Sequence, residues 1–521
     1  MKFNRVLLGI LCAGMFASCA NDDTENNNVS FPTEVEKSYI AVNVKSNHSV
    51  TRAENGGFDK GSTKESNVAS VHFFFFAADG SAFPINAGTL KPGEETDKNY
   101  YVKNITTSSS TGNVEAISET VIVLQNAKGK LPEKLVAVVN WDYSGESLSL
   151  SQLQGELVVA ADASTDNNFV MSNSVYLSNG EVVSATPISL ENIATNQETA
   201  LTKPVEVYVE RVAAKVSLLA DNTKFDTGVD FNGKDVYAVV SGWSLNTTMS
   251  HSSLIKNIET SWSNTTTPGF VWNDEANRRS YWTKSIPTSS TVTLSKSFKL
   301  VDVNANVGAS RYCLENTADA GVDNSNNTKV LVAAKFVVDE NTPVEIVQLL
   351  GDYMTIDGLK NSIANSLSAY YYEDGNNKVK LAPEHIQLVA STKNSYEMNY
   401  RLTDAAESLN WHKSNDNGHS FVAETAANIN DYMATFHAAK IWKDGGYYFV
   451  NVEHLKDGLA GVVRNHSYQI TVEDIKGLGT PVYDGNVVIP NPVRPTDDES
   501  FIAARVNVLS WQIVKQNVTL N

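Results

Sequence analysis

Nine histidines and 59 Asp+Glu supply many groups capable of chemistry, but their spacing assembles no catalytic set. No His-Glu-x-x-His pair occurs. His412 and His419 share a polar stretch, where an imidazole is ordinarily solvated. His466 stands beside Arg464 yet opens a strand-like run with Tyr468 and Ile470, which is a structural setting. Asp162-x-Ser164-x-Asp166 has the outline of a calcium loop, but Asn167 stands where the turn needs glycine and Asn173 where the bidentate glutamate belongs. There is no P-loop, G-x-S-x-G or dinucleotide fingerprint, and Gly129 between Lys128 and Lys130 lacks the companion glycines. Asp497 and Asp498 read as solvated charge, and Cys313 as a small buried apolar residue. The sequence therefore predicts no enzyme, no metal site and no cofactor.

The residues that do carry chemistry concern processing. Lys2 and Arg5 precede an apolar run from Val6 to Phe16, too short to span a bilayer and suited to a signal peptide. Ala17-Ser18-Cys19 resembles the lipobox of bacterial lipoproteins, with Phe16 in place of the usual aliphatic residue; bulky Leu11 makes Cys12 the poorer candidate. Cys19 would carry a covalent lipid, and stable anchoring takes more than one acyl chain. An ordinary signal peptide with a chance cysteine is the alternative. Asn21-Asp22-Asp23 resembles the export signal of surface lipoproteins in Bacteroidota. Further on, Arg52-Ala53 lies in the polar, glycine-rich stretch from Ser49 to Gly57, which a trypsin-like protease could reach.

The elements around these residues read as β. A formal charge of −18 argues against nucleic acid and anionic membrane as partners. Hydrophobic residues at 42% suffice for packed cores, and charged residues at 19% leave a polar, weakly charged surface. Ile40, Val42 and Val44 alternate in a half-buried strand. The run from Val68 to Ala77, with four consecutive phenylalanines, reads as a central strand ended at Asp79-Gly80. Strands are expected at Leu135–Trp141, at Val205–Val209 continuing through Val212–Val216, at Val330–Val337 and at Tyr468–Val472. The stretch 160–190 reads as loop-rich. Ile356, Leu359, Ile363 and Leu367 predict a helix over 356–371, and Lys443-Asp444-Gly445-Gly446 predicts a hairpin between Ala438–Trp442 and Tyr447–Val452. The organisation follows: a signal peptide over 1–19, a tether with a removable first strand over 20–52, β-sandwich domains over 53–203 and 204–489, and a Pro-rich spacer with a last strand over 490–521. Pro204 marks the boundary between the two domains.

The two ends carry the functional expectation. Beyond Pro490, Pro492 and Pro495 the chain is β-prone to its end. Val506 and Val508 share a face, Trp511 and Ile513 share one after a shift at Leu509-Ser510 that a bulge would correct, and Val518 and Leu520 follow. This strand either closes its own sandwich or pairs with another molecule's open sheet edge. Cleavage after Arg52 would supply such an edge by removing the Ile40 strand. Losing three buried aliphatic side chains at ~1.5–3 kcal/mol each comes to roughly 5–9 kcal/mol. That is comparable with a domain's whole stability of about 5–15 kcal/mol.

This order of anchor, strand, cut site, body, spacer and strand resembles the Mfa/FimA-type fimbrillins of Bacteroidales, nearest the Mfa-type shaft subunit. Supporting stretches are Val209-Glu210-Arg211-Val212-Ala213-Ala214-Lys215-Val216, Tyr312-Cys313-Leu314-Glu315-Asn316-Thr317, Val330-Leu331-Val332-Ala333-Ala334-Lys335-Phe336, Val462-Val463-Arg464-Asn465-His466-Ser467-Tyr468, Ile475-Lys476-Gly477-Leu478-Gly479 and Val506-Asn507-Val508-Leu509-Ser510-Trp511. Ser510 stands where proline is common. The resemblance is strong from about 205 onward and loose between about 80 and 200. It implies two transthyretin-like Greek-key β-sandwich domains, an outer-membrane lipoprotein precursor, an arginine-specific protease cutting after Arg52, and a cell-surface fimbrium built head-to-tail from copies of the chain by strand exchange, with anchor and tip subunits as further partners. The competing readings are a monomeric anchored lipoprotein that binds glycan or protein, an accessory fimbrial subunit and, weakest, a secreted hydrolase.

Overall fold

The computed structural model describes residues 37–45, 58–59, 62, 65, 67–85, 98–104, 116–125, 131–165, 168–174, 176–178, 181–258, 285–317, 324–339, 341–455, 459–493 and 501–511. The chain is all-β with a few short helices. The principal strands of the first half are β1 (Lys37–Lys45), β2 (Phe58–Asp59), β3 (Ser70–Phe76), β4 (Tyr100–Asn104), β5 (Ala116–Gln125), β6 (Lys134–Val139), β7 (Met171–Asn173), β8 (Ile193–Ala194) and β9 (Val205–Arg211). The second half adds β10 (Ala213–Ala220), β11 (Phe225–Asp230), β12 (Asp235–Asn246), β13 (Ser310–Leu314), β14 (Lys329–Val338), β15 (Gly445–Asn451), β16 (His466–Lys476), β17 (Thr480–Val482) and β18 (Phe501–Trp511).

The first sheet runs β8-β1-β9-β7-β6-β3-β4, with β5 on the other flank of β1. Because strand side chains alternate, the four phenylalanines of β3 serve two cores. Phe73 and Phe75 join Ile40, Val42 and Val207 on one face, while Phe74 and Phe76 join Val136, Val138 and Leu254 on the other. A sheet buried on both faces needs such a continuous apolar run.

The second half is a sandwich. One sheet has the order β2-β18-β16-β10-β13 and the other β11-β12-β14-β15-β17. Val216, Leu218, Tyr468 and Ile470 from the former share a core with Trp243, Val332 and Phe336 from the latter. Between Ile346 and Trp442 the chain builds a further five-stranded sheet. The helices Ile356–Ser366 and Ala426–Met433 contribute Leu359, Ile363, Ile429 and Met433 to a core that belongs to this segment.

Four local expectations are corrected. Val205–Val216 is two strands: β9 belongs to the first sheet and β10 to the second, so the chain crosses between sheets at Val212. Ala439–Trp442 and β15 form no hairpin. The former pairs with Ile346–Leu349 and the latter with β14. Gly445, at φ 124°, lets the backbone press against β14, since a Cβ there would stand 2.3 Å from the Ala334 carbonyl oxygen. The helix begins at its Thr355 cap, whose Oγ accepts from the Gly358 N–H, but stops at Ser366, and Tyr370–Asp374 is a strand. Tyr370, Tyr371 and Tyr372 prefer that pleated setting. The register irregularity expected at Leu509-Ser510 lies instead on the partner strand, between Val472 and Asp474.

Candidate functional site

β1 is an interior strand. β5 follows one flank from Lys37↔Gln125 to Lys45↔Ala116. On the other flank β8 pairs antiparallel at Tyr39 and Ile40, and β9 pairs parallel from Val42↔Val205 to Lys45↔Tyr208. Ile40, Ala41 and Val42 are fully buried, with Ile40 and Val42 in the core that holds Phe73 and Phe75. Val44 pairs with Val207. Among the described residues β1 is the only sheet partner of β5. Excising β1 would therefore separate β5 from β9 by one strand's width and uncover the apolar face beneath. Arg52, Ala53 and Cys19, the expected cut and lipidation sites, lie outside the described residues.

β18 occupies its own sheet. It runs antiparallel to β16 through ten paired positions, with Val506 opposite Ile470 and Val508 opposite Tyr468. Among the described residues its other edge meets only β2, in parallel, with Phe58 opposite Ser510 and Asp59 opposite Trp511. Ile513, Val518 and Leu520 lie outside the described residues. The sequence places all of these residues in terminal strands, and the fold keeps the two strands in different sheets.

Between the sheets sits a buried ionic cluster. Arg464, at the start of β16, donates from Nε to Glu315 Oε2 (2.8 Å), pairs through Nη2 with Glu315 Oε1, and donates to the carbonyls of Leu254 (3.1 Å) and Ser253 (2.7 Å). Ser252 Oγ donates to Glu315 Oε1 (2.8 Å). Burial opposes ionisation of Glu315, but the Arg464 guanidinium overrides it and holds the carboxyl below its usual range. Lys256 Nζ lies 3.0 Å from Glu210 Oε1, and both are fully buried. Here burial wins, pushing the carboxyl up and the ammonium down toward their neutral forms. Asn465 takes the left-handed conformation (φ 57°) and donates its N–H to Ala213, which turns the chain into β16. Nearby, Glu65 pairs with Lys215 of β10 and with the Tyr312 hydroxyl of β13, while Arg211 Nε donates to the Glu65 carbonyl (2.8 Å). Three of the stretches on which the resemblance rests, 209–216, 312–317 and 462–468, thus converge on one buried junction.

The sequence reading missed this cluster. Its signal was available: Glu210-Arg211 and Arg464 interrupt β-branched apolar runs, and a charge inside a core strand needs a partner. The histidines singled out in the sequence have structural places. His466 is buried with Nδ1 2.8 Å from the Arg464 carbonyl. His412 meets Lys378 (2.6 Å), and His419 folds onto the Asp416 carbonyl (2.6 Å). Tyr370, Tyr371 and Trp411 are buried, with Tyr370 and Trp411 in the core of the 346–442 segment. Burial pushes the Cys313 thiol up to about 12.

No family profile matches the chain, and no curated protein matches it. Solved structures similar to it include the fimbrilin FimA of Porphyromonas gingivalis (14% identity, 92% of this chain and 98% of that one, TM-score 0.39). Two others are the tip fimbrial protein Mfa3 of the same organism with a C-terminal truncation (10% identity, 91% and 100%, TM-score 0.33) and a fimbrial assembly protein of Parabacteroides distasonis (13% identity, 74% and 98%, TM-score 0.28). At these scores the function has to be argued from the chain's own strands.

Proposed function

We propose that the chain is a structural subunit of a cell-surface fimbrium, exported as a lipoprotein on Cys19, cleaved after Arg52, and polymerised when the C-terminal strand of one copy fills the place of β1 in the next. The supporting observation is the position of β1: it precedes the cut site, bridges β5 to β9, and buries Ile40, Ala41 and Val42. The donor has matching chemistry, since Val506-Asn507-Val508 repeats Val42-Asn43-Val44. An incoming strand with apolar residues at alternate positions would restore the covered face and both ladders. Export, cleavage, the shaft role, and anchor or tip subunits as partners are parts of this reading.

A second reading has its own support. β18 already completes its sheet against β16 through ten paired positions. A chain that kept this arrangement would stay a monomeric, anchored lipoprotein binding glycan or protein. Material sheared from cells and run unboiled and boiled on a denaturing gel separates the two. Polymerisation gives a ladder that collapses on boiling to one band beginning at Ala53. A single unboiled band still lipidated at Cys19 overturns it.

A further inference from the structure

At the open end of the first sheet, where β3 begins and β4 and β6 finish, a cleft of about 400 Å³ is lined by His72, Trp141, Asp142, Tyr143, Asn104 and Ser70 among others. This is within the usual range for small-ligand sites. We infer that it is a saccharide-binding site, in which the Trp141–Tyr143 wall takes the apolar face of a neutral sugar ring and the polar rim takes its hydroxyls.

The wall is flat. The Trp141 and Tyr143 rings stack at 4.7 Å and 10°, each with one face against the other. Phe74 and Tyr100 support it from the sheet, at 6.2 Å from Trp141 and 5.5 Å from Tyr143 respectively. A cation is better held by rings that meet at an angle and enclose it. A face-to-face pair leaves one outer ring face to a ligand, and a single flat face suits the C–H face of a pyranose. A nucleobase would also stack, but the chain's charge of −18 opposes a nucleic-acid strand.

The rim separates into committed and available groups. Asn140 is spent on the fold: its Oδ1 accepts from the Ala69 N–H (2.7 Å), and its amide donates to the carbonyls of Asn67 and Phe169. The Tyr143 hydroxyl donates to the Glu146 carbonyl (2.7 Å). By contrast the Trp141 indole N–H, the exposed Asp142 carboxylate and the exposed Asn104 amide make no hydrogen bond among the described residues. His72 is 3% exposed. Its Nε2 lies 2.9 Å from the Tyr143 carbonyl and so carries the proton, leaving Nδ1 as an acceptor that is buried and unpartnered among the described residues. The Trp141 and Asn104 donors and the Asn104 and Asp142 acceptors at the rim, with the buried His72 Nδ1 behind them, are complementary to a ring of vicinal hydroxyls, each of which both donates and accepts. A surface that served only to cover the Phe74 core would need none of them.

The test is saturation-transfer difference NMR on the full chain with glucose, galactose, mannose and N-acetylglucosamine as probes, and choline as a cationic control. At least one sugar should receive saturation on its ring C–H protons. Its affinity should fall at least about tenfold in Trp141→Ala and several-fold in Asp142→Asn and Asn104→Ala, with Trp141→Phe keeping part of it. Asn104 and Asp142 are exposed, so their variants should melt like the parent and remain decisive if Trp141→Ala is poorly folded. Binding of none of the sugars, sugar binding unchanged in Asn104→Ala and Asp142→Asn, or binding of choline in preference to every sugar would overturn the inference.

Discussion

The two terminal strands each complete a sheet, but they are held differently. β1 is flanked along its length, by β5 on one side and by β8 and β9 on the other. Among the described residues β18 has one long partner, β16, and only the two residues of β2 on its outer edge. A strand locked from both sides cannot slip out without disrupting its sheet, whereas an edge strand can peel away by giving up one ladder. Each hydrogen bond in that ladder is worth only about 0.5–1.5 kcal/mol net. The asymmetry fits the proposed assembly, in which the interior strand is cut free and the edge strand is donated.

Pinning the edge strand should have the largest effect. Gln469 and Asn507 are directly opposed in the β16–β18 ladder. Opposed antiparallel Cα atoms lie about 4.5–5.5 Å apart, within the span of a disulfide. A Gln469→Cys/Asn507→Cys chain should be cleaved normally, stay monomeric when oxidised and polymerise after reduction. Polymers formed by the oxidised chain would mean that β18 never leaves its sheet. Arg52→Ala should likewise block assembly, leaving full-length precursor on a gel.

The next effect is on stability. Excision of β1 forfeits the burial of Ile40 and Val42, roughly 3–6 kcal/mol. The cleaved chain, held dilute, should lose hydrogen-exchange protection in β9 while β10 and β16 keep theirs. A peptide spanning 501–521 should restore protection in β9. Unchanged protection after cleavage would show that β1 is not integral to its sheet, and the contrast with β18 would disappear.

The ionic junction should come third. Glu315→Gln leaves the Arg464 guanidinium buried without its counter-charge, at a cost of about 3–5 kcal/mol in urea unfolding. The pH dependence carries the same sign. Arg464 holds the Glu315 carboxyl below its ordinary 4.5, so the stability this group contributes is complete above that value and is lost as pH falls through the lower, folded value. Glu210 runs the other way, because burial raises its carboxyl. The difference between the parent and Glu315→Gln isolates the Glu315 part, and the variant should lack that acid limb. Identical acid limbs would mean that the pair contributes nothing to stability.

What could be read from the sequence was whatever has a local period. The strand at Ile40–Val44, the doubly buried phenylalanine run and the strand at Val330 follow from alternation and composition alone. Features set by tertiary contact were not legible. Val205–Val216 looks like one strand because nothing local marks that its halves enter different sheets. Lys443–Gly446 has hairpin chemistry, yet the close approach of Gly445 to Ala334 redirects it. Arg464, Glu315, Lys256 and Glu210 come from four distant stretches, and only the fold brings them together. The saccharide cleft has the same origin: Trp141 and Tyr143 look like ordinary half-buried aromatics until β4 sets Asn104 beside them.

The smallest expected effect concerns the far edge of the same sheet. Cys313 lies on β13, separated from β18 by β10 and β16. It is buried, and with its thiol pushed up to about 12 it is almost entirely protonated at pH 8. The thiolate is the nucleophile, so iodoacetamide should label it only through transient opening of that edge. If β18 is a peripheral strand that can leave, deleting 501–521 removes the opposite edge and the core beneath β13 stays packed. Cys313 labelling should then change by no more than about twofold, under about 0.5 kcal/mol. A tenfold rise would show that β18 supports the whole sandwich, and the distinction between an interior strand that must be cut and an edge strand that can be given away would fail.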